Sequence, residues 1–437
     1  MQALETRVYV SIVAGGSLTS YIVTQSRPKR TGFLPYFLMK DTNLDDTSTA
    51  FLFGPTGLGT SAARFASELA KAARAGNLDP RLLQADLAPA GDLDPAYAER
   101  SWGDGTASPL YCPITERFNE PLADEVDDRL AAWALECGFD EDEVEKIRKV
   151  RFGRLVMLAH PDCDDPDRLL IGAKLNMAWW AADDYYADDS ELGADPMLLP
   201  PRLLLAMTAM DPPPPAGEFT PPLEEALAAE RVVVALGSGI DYLAQYATPE
   251  QVQRTCYATF SMFVSWSAYA AWRYTDEYPP AWKYLAARQH DSFYTSMTLL
   301  DPIGGYILPA DLFFEPRVRH AAFLAGTAVV LVNDLLSVAK DLADEQPPVN
   351  MVLQIAADRG CSIKEATEIT VKFHNDLVHD FRERHQKLQA VPNVELQRFL
   401  RGLRGWMGGA FEWHNSNPRY KNSNGTPQLD SQSSTSP

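Results

Sequence analysis

Apolar residues recur at three- and four-residue steps through most of this chain, from residue 109 to about residue 420. Leu122, Val126 and Leu130 begin the pattern, which is typical of amphipathic α-helices, and strand-type alternation is nearly absent. Clusters of proline and glycine separate the helical segments. The pattern predicts an all-α bundle of ten or more helices, long enough to enclose a deep cavity. The clearest segments are 168–182, 223–246, 249–273, 281–300, 316–342, 363–388 and 394–414.

Three regions divide the chain. Residues 1–105 carry glycine clusters and lack long apolar periodicity, so we expect a poorly ordered or weakly folded N-terminal extension. Residues 106–420 form the helical domain, and 421–437 are a polar tail that we expect to be disordered. The longest apolar run, 321–332, is shorter than the ~20 residues of a membrane span, and is predicted to be a buried core helix.

The charge balance limits the partners that the chain can bind. Its 437 residues include 59 Asp and Glu against 39 Lys and Arg, a formal net charge of −20. This balance argues against nucleic acid or an anionic membrane as the main partner. An anionic substrate would need bound divalent cations to invert the local charge. Five scattered cysteines fit a reducing cytoplasm rather than a zinc site.

The first candidate site is an acidic cluster that follows an apolar helix. Asp183, Asp184 and Asp188, with a further acid beside them, would repel one another at a helix end that already disfavours negative charge. Asp184 and Asp188 share a helical face at i,i+4, and Asp183 borders it. Such carboxylates suit Mg²⁺. The alternative is a solvated acidic helix end.

A second candidate site follows the longest apolar run. Asn333, Ser337 and Asp341 fall at i, i+4 and i+8, so they lie on one stripe of a helix. Two neutral oxygens and a carboxylate suit a hard cation, and Lys340 beside the stripe could reach a phosphate. The alternative is a polar face that emerges from a core helix.

Two shorter motifs are ordinary by themselves. Arg288 is followed by Asp291 and Ser292, and an arginine near a carboxylate is often only an ion pair. Arg419 and Tyr420 stand together at the end of the last predicted helix.

Taken together and in this order, the four motifs resemble those of the bacterial class I terpene synthases. The aspartate-rich motif matches Asp183, Asp184 and Asp188, and the Asn-Ser-Glu metal triad matches Asn333, Ser337 and Asp341. The diphosphate-sensing arginine matches Arg288, with Asp291 and Ser292 as linker and effector, and the terminal pair matches Arg419 and Tyr420.

The resemblance covers residues 109–420 and is strongest to the branch of 2-methylisoborneol synthases. It rests on stretches such as PLADEVDDRLAAWALECGF, MLAHPDCDDPDRLL, AWWAADDYYADD and YLAARQHDSFYTSMTLLDPIGGY. Two residues depart from the family pattern. Asp188 comes one position late, and Asp341 replaces Glu, which shortens the reach to a metal ion by one methylene.

The resemblance implies the following activity. Three Mg²⁺ ions, two on the aspartate motif and one on the triad, would neutralise an isoprenoid diphosphate. Arg288, Lys340, Arg419 and Tyr420 would donate to it, and Asp291 would link Arg288 to the carbonyl of Ser292. The implied substrate is 2-methylgeranyl diphosphate, cyclised and quenched by water to 2-methylisoborneol. Proton loss to a methylenebornane and use of farnesyl diphosphate are the alternatives.

Aromatic side chains could stabilise the cations in the cavity through their ring faces. Aromatic residues at helical spacing are also common in plain cores. The candidates are Trp179, Phe260, Phe263, Trp266, Trp272 and Trp406.

The sequence is also compatible with other functions. A chain-elongating prenyl transferase would carry a second aspartate-rich motif in place of the triad. A non-catalytic helical cargo or scaffold protein would not need the metal residues. The resemblance is also compatible with a homodimer, and with loading into an encapsulin-type shell through residues 1–105.

Overall fold

The computed structural model describes residues 7–14, 17–24, 96–188, 193, 195–343 and 350–417. The chain separates into two compact units, Met1–Gly57 and Leu58–Pro437. In the first unit, strand β1 (Arg7–Ala14) pairs antiparallel with β2 (Ser17–Thr24). The tail predicted at 421–437 lies outside the described residues, as does most of the predicted extension.

The second unit is helical, which confirms the predicted class. Its described residues form two short strands, β3 (Tyr97–Arg100) and β4 (Leu110–Pro113), and sixteen α-helices. A π-helical turn (Asp183–Ala187) follows α4, and a 3₁₀ turn (Gly217–Phe219) precedes α6. The helices are α1 (Glu120–Glu136), α2 (Glu141–Val150), α3 (Phe152–Ala159), α4 (Pro166–Ala182), α5 (Leu199–Met210), α6 (Thr220–Ala228), α7 (Arg231–Ala244), α8 (Pro249–Tyr274), α9 (Ala281–Arg288), α10 (Tyr294–Met297), α11 (Leu300–Gly304), α12 (Ala310–Phe313), α13 (Pro316–Ala343), α14 (Met351–Arg359), α15 (Ile363–Gln389) and α16 (Val394–Ser416).

The packed domain begins earlier than the boundary predicted after residue 105. Strand β3 pairs antiparallel with β4, and both Tyr97 and Trp102 are buried. Arg100 forms an ion pair with Glu412 of the last helix at 2.8 Å. Because residues 97–102 are paired, buried or bound to the last helix in this way, they belong to the domain rather than to the extension.

Helix α13 runs through the core and packs against α15 and α16. Apart from Phe323, every residue of the apolar run 321–332 is buried. Among the described residues, α13 is the one helix long and apolar enough to cross a membrane, yet 78% of its apolar window is buried inside the domain. The predicted buried core helix is therefore confirmed.

Side-chain caps fix where several long helices begin. Thr248 accepts a hydrogen bond from the backbone of Gln251, whose side chain bonds back to residue 248, and Pro249 occupies the first turn of α8. Ser362 and Glu365 form the same reciprocal capping box at α15. Each cap stabilises its helix by about 1 kcal/mol.

Two segments predicted as single helices are interrupted. The segment 281–300 breaks between Arg288 and Tyr294, next to Gly326 of α13. A Cβ at residue 326 would lie only 2.7 Å from the backbone nitrogen of Tyr294, so the glycine lets α13 approach the break closely. The segment 223–246 breaks at Glu230, whose backbone is extended.

Candidate active site

The first acidic motif lies on a π-helical turn. The backbone nitrogen of Asp188 donates to the carbonyl oxygen of Asp183 at 2.8 Å, an i→i+5 bond. On this wider turn Asp188 is related to Asp183 as an i+4 residue would be on an α-helix. The late position of the third acid is thus compensated by the backbone. Asp184 and Asp188 are exposed, and Asp183 is half-buried.

Two tyrosines anchor this turn to other segments of the domain. The hydroxyl of Tyr185 donates to Glu143 of α2 at 2.6 Å, and that of Tyr186 donates to Glu230 at 2.8 Å. Burial raises the pKa of each phenol to about 12, and at Tyr185 the bond to Glu143 adds to this. Both hydroxyls therefore stay protonated donors at neutral pH.

Arg273, at the end of α8, holds the far end of the same turn. Its guanidinium donates to the backbone carbonyls of Ala187 and Gly193 and lies 3.7 Å from the carboxylate of Asp188. The sequence reasoning did not select Arg273. An isolated arginine at a helix end carried no signal, because its partners are at least 80 positions away.

The predicted triad is assembled on α13. The hydroxyl of Ser337 donates to Oδ2 of Asp341 at 2.6 Å. Burial raises the pKa of the Asp341 carboxyl, and a bound cation would act in the opposite direction. Within the described residues no group of three or more His, Cys, Asp or Glu side chains could hold a metal ion. The other oxygens on this stripe are the neutral side-chain oxygens of Asn333 and Ser337.

Arg288 is the centre of a buried network. Its guanidinium donates to Oδ2 of Asp291 at 2.8 Å, to Oδ1 of Asp334 at 2.6 Å and, at 3.3 Å, to Oδ1 of Asn333. Burial lowers the pKa of Arg288, but Asp334 and Asp291 outweigh it and raise the pKa above its ordinary value. The structure thus joins the predicted diphosphate sensor to its linker and to the triad.

Asp334 is a further residue that the sequence reasoning missed. It is 1% exposed, and besides Arg288 it accepts a bond from the backbone nitrogen of Met351 at 2.9 Å. The one feature of the sequence that could have pointed to Asp334 was its position directly after Asn333. The carboxylate closes the network between α9, α13 and α14.

Ser292 lies in the break between α9 and α10. Its hydroxyl donates to the carbonyl of Gln289 at 2.9 Å, and its own carbonyl accepts a long bond, 3.4 Å, from Thr295. Arg288 also donates to the backbone carbonyl of Asp291, at 3.2 Å. The arginine is therefore connected to the backbone of the break as well as to the linker side chain.

Three further candidates are the remaining predicted diphosphate donors. Lys340 is exposed near the end of α13. Arg419 and Tyr420 lie outside the described residues. The Asp183–Asp188 turn is held by α2, α8 and the residue before α7, whereas the Arg288 network belongs to α9, α13 and α14.

The six candidate aromatic residues have different surroundings. Trp179 is buried one turn before Asp183, and its indole nitrogen has no partner among the described residues. Trp266 donates to Asp291, and Trp406 donates to His160 at 3.2 Å. Phe263 packs on Trp266, Phe260 is half-buried, and Trp272 lies beneath Lys283.

The donor set fits Mg²⁺. The candidate ligands are carboxylate, amide and hydroxyl oxygens, which this hard cation prefers, and it ordinarily keeps waters and substrate phosphates as its remaining ligands. The hydroxyl hydrogen of Ser337 is used in the bond to Asp341, and its oxygen accepts from Nδ2 of Asn350 at 3.3 Å, which leaves a second lone pair for a cation.

Comparison with known proteins identifies the family of this chain. A family model described as terpene synthase family 2, C-terminal metal binding, matches residues 174–380. A 2-methylisoborneol synthase of Streptomyces ambofaciens is 34% identical over 375 residues, covering 84% of this chain and 79% of the relative. One of Streptomyces griseus is 36% identical over 311 residues, 70% of this chain and 71% of the relative.

A solved structure shows the same fold. It is 2-methylisoborneol synthase from Streptomyces coelicolor A3(2) in complex with Mg²⁺ and 2-fluoroneryl diphosphate, with a TM-score of 0.69 and 33% identity. The match covers 72% of this chain and 98% of that one. The chain belongs to the terpene synthase family, as a class I terpene cyclase similar to the 2-methylisoborneol synthases.

Proposed function

We propose that this protein ionises 2-methylgeranyl diphosphate with the help of Mg²⁺ and cyclises the cation to 2-methylisoborneol, releasing diphosphate. The observation that carries the proposal is the contact of Arg288 with Asp291, Asp334 and Asn333. These contacts join the proposed diphosphate sensor to the proposed metal triad in one buried network. The similarity to 2-methylisoborneol synthases over most of the chain supports the substrate and the product.

Leaving-group departure is the step that this arrangement would assist. Bound Mg²⁺, three ions by the resemblance, supplies the positive charge that a departing diphosphate needs. Arg288 donates to the diphosphate from an orientation fixed in advance by Asp291 and Asp334. Lys340, Arg419 and Tyr420 are further proposed donors, and Asp183, Asp184 and Asp188 the proposed ligands opposite the triad.

The break between α9 and α10 would act on the hydrocarbon chain of the substrate. Among the described residues the carbonyl oxygen of Ser292 accepts a single long backbone bond, so it keeps electron density for a developing cation. Asp291 connects this carbonyl to Arg288, which senses the diphosphate. Buried aromatic rings, Trp179 foremost, would stabilise later cations by about 0.5–2 kcal/mol each.

Product analysis tests the proposal directly. Purified protein is incubated with Mg²⁺ and, separately, geranyl, 2-methylgeranyl and farnesyl diphosphate, and the products are identified by gas chromatography and mass spectrometry. We expect 2-methylisoborneol from 2-methylgeranyl diphosphate, abolished by a chelator. 2-Methylenebornane as the sole product would show that the final cation loses a proton instead of adding water. A product from farnesyl diphosphate alone would overturn the substrate, and no product from any of the three would favour a non-catalytic cargo or scaffold role.

We also propose that the N-terminal residues load the enzyme into an encapsulin-type shell in the cytoplasm. The compactness of Met1–Gly57 as a unit of its own supports a separable segment. Because residues from 96 onward pack with the helices, the matching truncation removes residues 1–95. Cyclisation should persist and co-purification with a co-expressed shell should be lost. Loss of cyclisation, or retention in the shell, would contradict the proposal.

The family resemblance further supports a homodimer. Light scattering after size-exclusion chromatography should give about twice the 48.4 kDa chain mass at assay concentrations. A mass of one chain would contradict this.

A further inference from the structure

Asn350 lies beside the proposed metal triad with both ends of its side-chain amide in use. The residue is fully buried, at 0% exposure. Its Nδ2 donates to Oδ2 of Asp341 at 2.7 Å and to the backbone carbonyl of Asp334 at 2.8 Å, and lies 3.3 Å from Oγ of Ser337. Its Oδ1 accepts from the backbone nitrogen of Val352 at 2.9 Å, which caps α14. These contacts also fix which end of the amide is nitrogen.

We propose that Asn350 is a positioning residue for the metal ion at the triad, an inference that rests on the proposed function. The amide and the hydroxyl of Ser337 both donate to the same carboxylate oxygen, Oδ2 of Asp341. The carboxylate is thereby held in one orientation, with Oδ1 left as the oxygen that binds the cation. Outer groups that orient metal ligands in this way typically change metal affinity or activity by about 10–100-fold when they are removed.

The arrangement also accounts for an aspartate where the family has glutamate. Asp341 has one methylene fewer, so its carboxylate remains close to α13. There the side chain of Asn350, at the start of the next helix, reaches it directly. Two donors on one oxygen restrict the Asp341 side chain, which has only two torsions. The extra methylene of a glutamate is therefore not needed to place the carboxylate.

The start of α14 joins the triad to the arginine network. Asn350 holds Asp341, and the next residue, Met351, donates from its backbone nitrogen to Asp334, which pairs with Arg288. A change at Asn350 that keeps the helix cap would therefore leave the Met351 contact in place. This makes the donor role separable from the capping role.

Two variants separate these roles. Asn350→Asp keeps the cap, because aspartate caps as well as asparagine, but replaces the donor facing Asp341 by a carboxylate oxygen. Asn350→Ser also keeps a capping oxygen and adds no charge, but cannot reach Asp341. Asn393→Asp and Asn393→Ser are the matched controls, since Asn393 caps α16 through the backbone nitrogen of Leu396 without contact with the triad.

The readouts are turnover, Mg²⁺ dependence and metal binding. For Asn350→Ser we expect the Mg²⁺ concentration for half-maximal rate to rise about tenfold, and Mn²⁺ binding in the presence of inorganic diphosphate, followed by electron paramagnetic resonance, to weaken similarly. For Asn350→Asp we expect at least a tenfold loss of rate with helicity retained. The Asn393 variants should match the wild type in both.

The outcomes distinguish this inference from the proposed function. Wild-type rates and wild-type Mg²⁺ and Mn²⁺ affinities in both Asn350 variants would overturn the positioning role while the function stands. So would a rate loss that is accompanied by a lowered melting temperature but by unchanged Mn²⁺ affinity. Failure of the wild type itself to bind Mn²⁺ with diphosphate, or to form product, would instead overturn the proposed function.

Discussion

The indole nitrogen of Trp266 donates a hydrogen bond to Oδ1 of Asp291 at 3.0 Å, while Oδ2 of the same carboxylate accepts from Arg288 at 2.8 Å. Both oxygens of the linker residue are therefore held by protein donors. Trp266 is 2% exposed, so this bond is shielded from water. A tryptophan predicted from the sequence to act through its ring face thus makes a polar contact through its N–H group.

Substitution of Trp266 by phenylalanine should slow turnover. The change keeps an aromatic ring but removes the donor to an ionised group, a bond that contributes about 1.5–3 kcal/mol. We expect kcat to fall about 10–100-fold, because Asp291 then positions Arg288 less accurately. Trp102→Phe is the control, since its indole nitrogen donates to the carbonyl of Ser108 at the edge of the domain. A Trp266→Phe enzyme with normal kcat would exclude the positioning role.

Loss of a proposed metal ligand should reduce the rate by orders of magnitude. Asp183→Asn and Asn333→Ala each remove one oxygen donor and should leave helicity by circular dichroism unchanged. Asp241→Asn, a change at an exposed aspartate on α7, serves as the control and should retain full activity. Near-normal turnover in both ligand variants would show that the metal site lies elsewhere.

A deletion tests the register of the acidic motif. Removal of Ala187 takes out the extra residue of the π turn and should let an α-helical turn form, in which the third acid falls at i+4 from Asp183. We expect Mg²⁺-dependent product formation to persist, although more slowly because a contact of Arg273 is lost. Removal of Ala181 instead rotates Asp183 and Asp184 by about 100° and should abolish activity. Equal activity of the two deletions would contradict this reading of the turn.

Stability should fall as the pH is lowered below neutrality. Burial lowers the pKa of His160 and of His374 to about 4, against an ordinary value of 6.5. Each histidine therefore stabilises the fold fully above pH 6.5, and this contribution, on the order of 3 kcal/mol, is lost as the pH falls towards 4. Asp127, whose pKa burial raises to about 6, acts in the opposite direction below pH 6.

The variant His374→Gln should make this pH dependence shallower. Melting temperatures measured between pH 7 and 4.5 should fall less steeply than in the wild type, because one group no longer has to take up a proton on unfolding. His320→Gln, at an exposed position, should leave the slope unchanged. An unaltered slope in His374→Gln would mean that other groups govern acid unfolding.

The parts of the site that follow from helical periodicity could be predicted from the sequence. The stripe of Asn333, Ser337 and Asp341 needs only a continuous helix, and α13 is continuous from Pro316 to Ala343. Helix starts were predictable for the same local reason, as at Thr248 and Pro249. The assignment of these residues as ligands stays a prediction.

Features that depend on contacts between distant segments could not be predicted. The break after Arg288 is held by bonds from distant segments, Trp266 to Asp291 and Arg288 to Asp334, and by the close approach of Gly326, whereas the local apolar pattern continues through it. Residues 97–102 were assigned to the extension, because their place in the domain depends on pairing with β4 and on contact with the last helix. Asn350 had a visible signal, an asparagine before an apolar helix, but that signal indicates a cap and not a bond to Asp341.

The wider turn at Asp183–Ala187 bears on how such enzymes are recognised from their genes. A π turn is equivalent to one residue inserted into an α-helix. Here the inserted residue is accommodated within the single turn Asp183–Ala187. A search with a fixed number of letters between acids would reject this chain, although its backbone returns the third acid to the expected place. Motif searches that allow one optional position after the second acid would therefore recover sequences that rigid patterns discard.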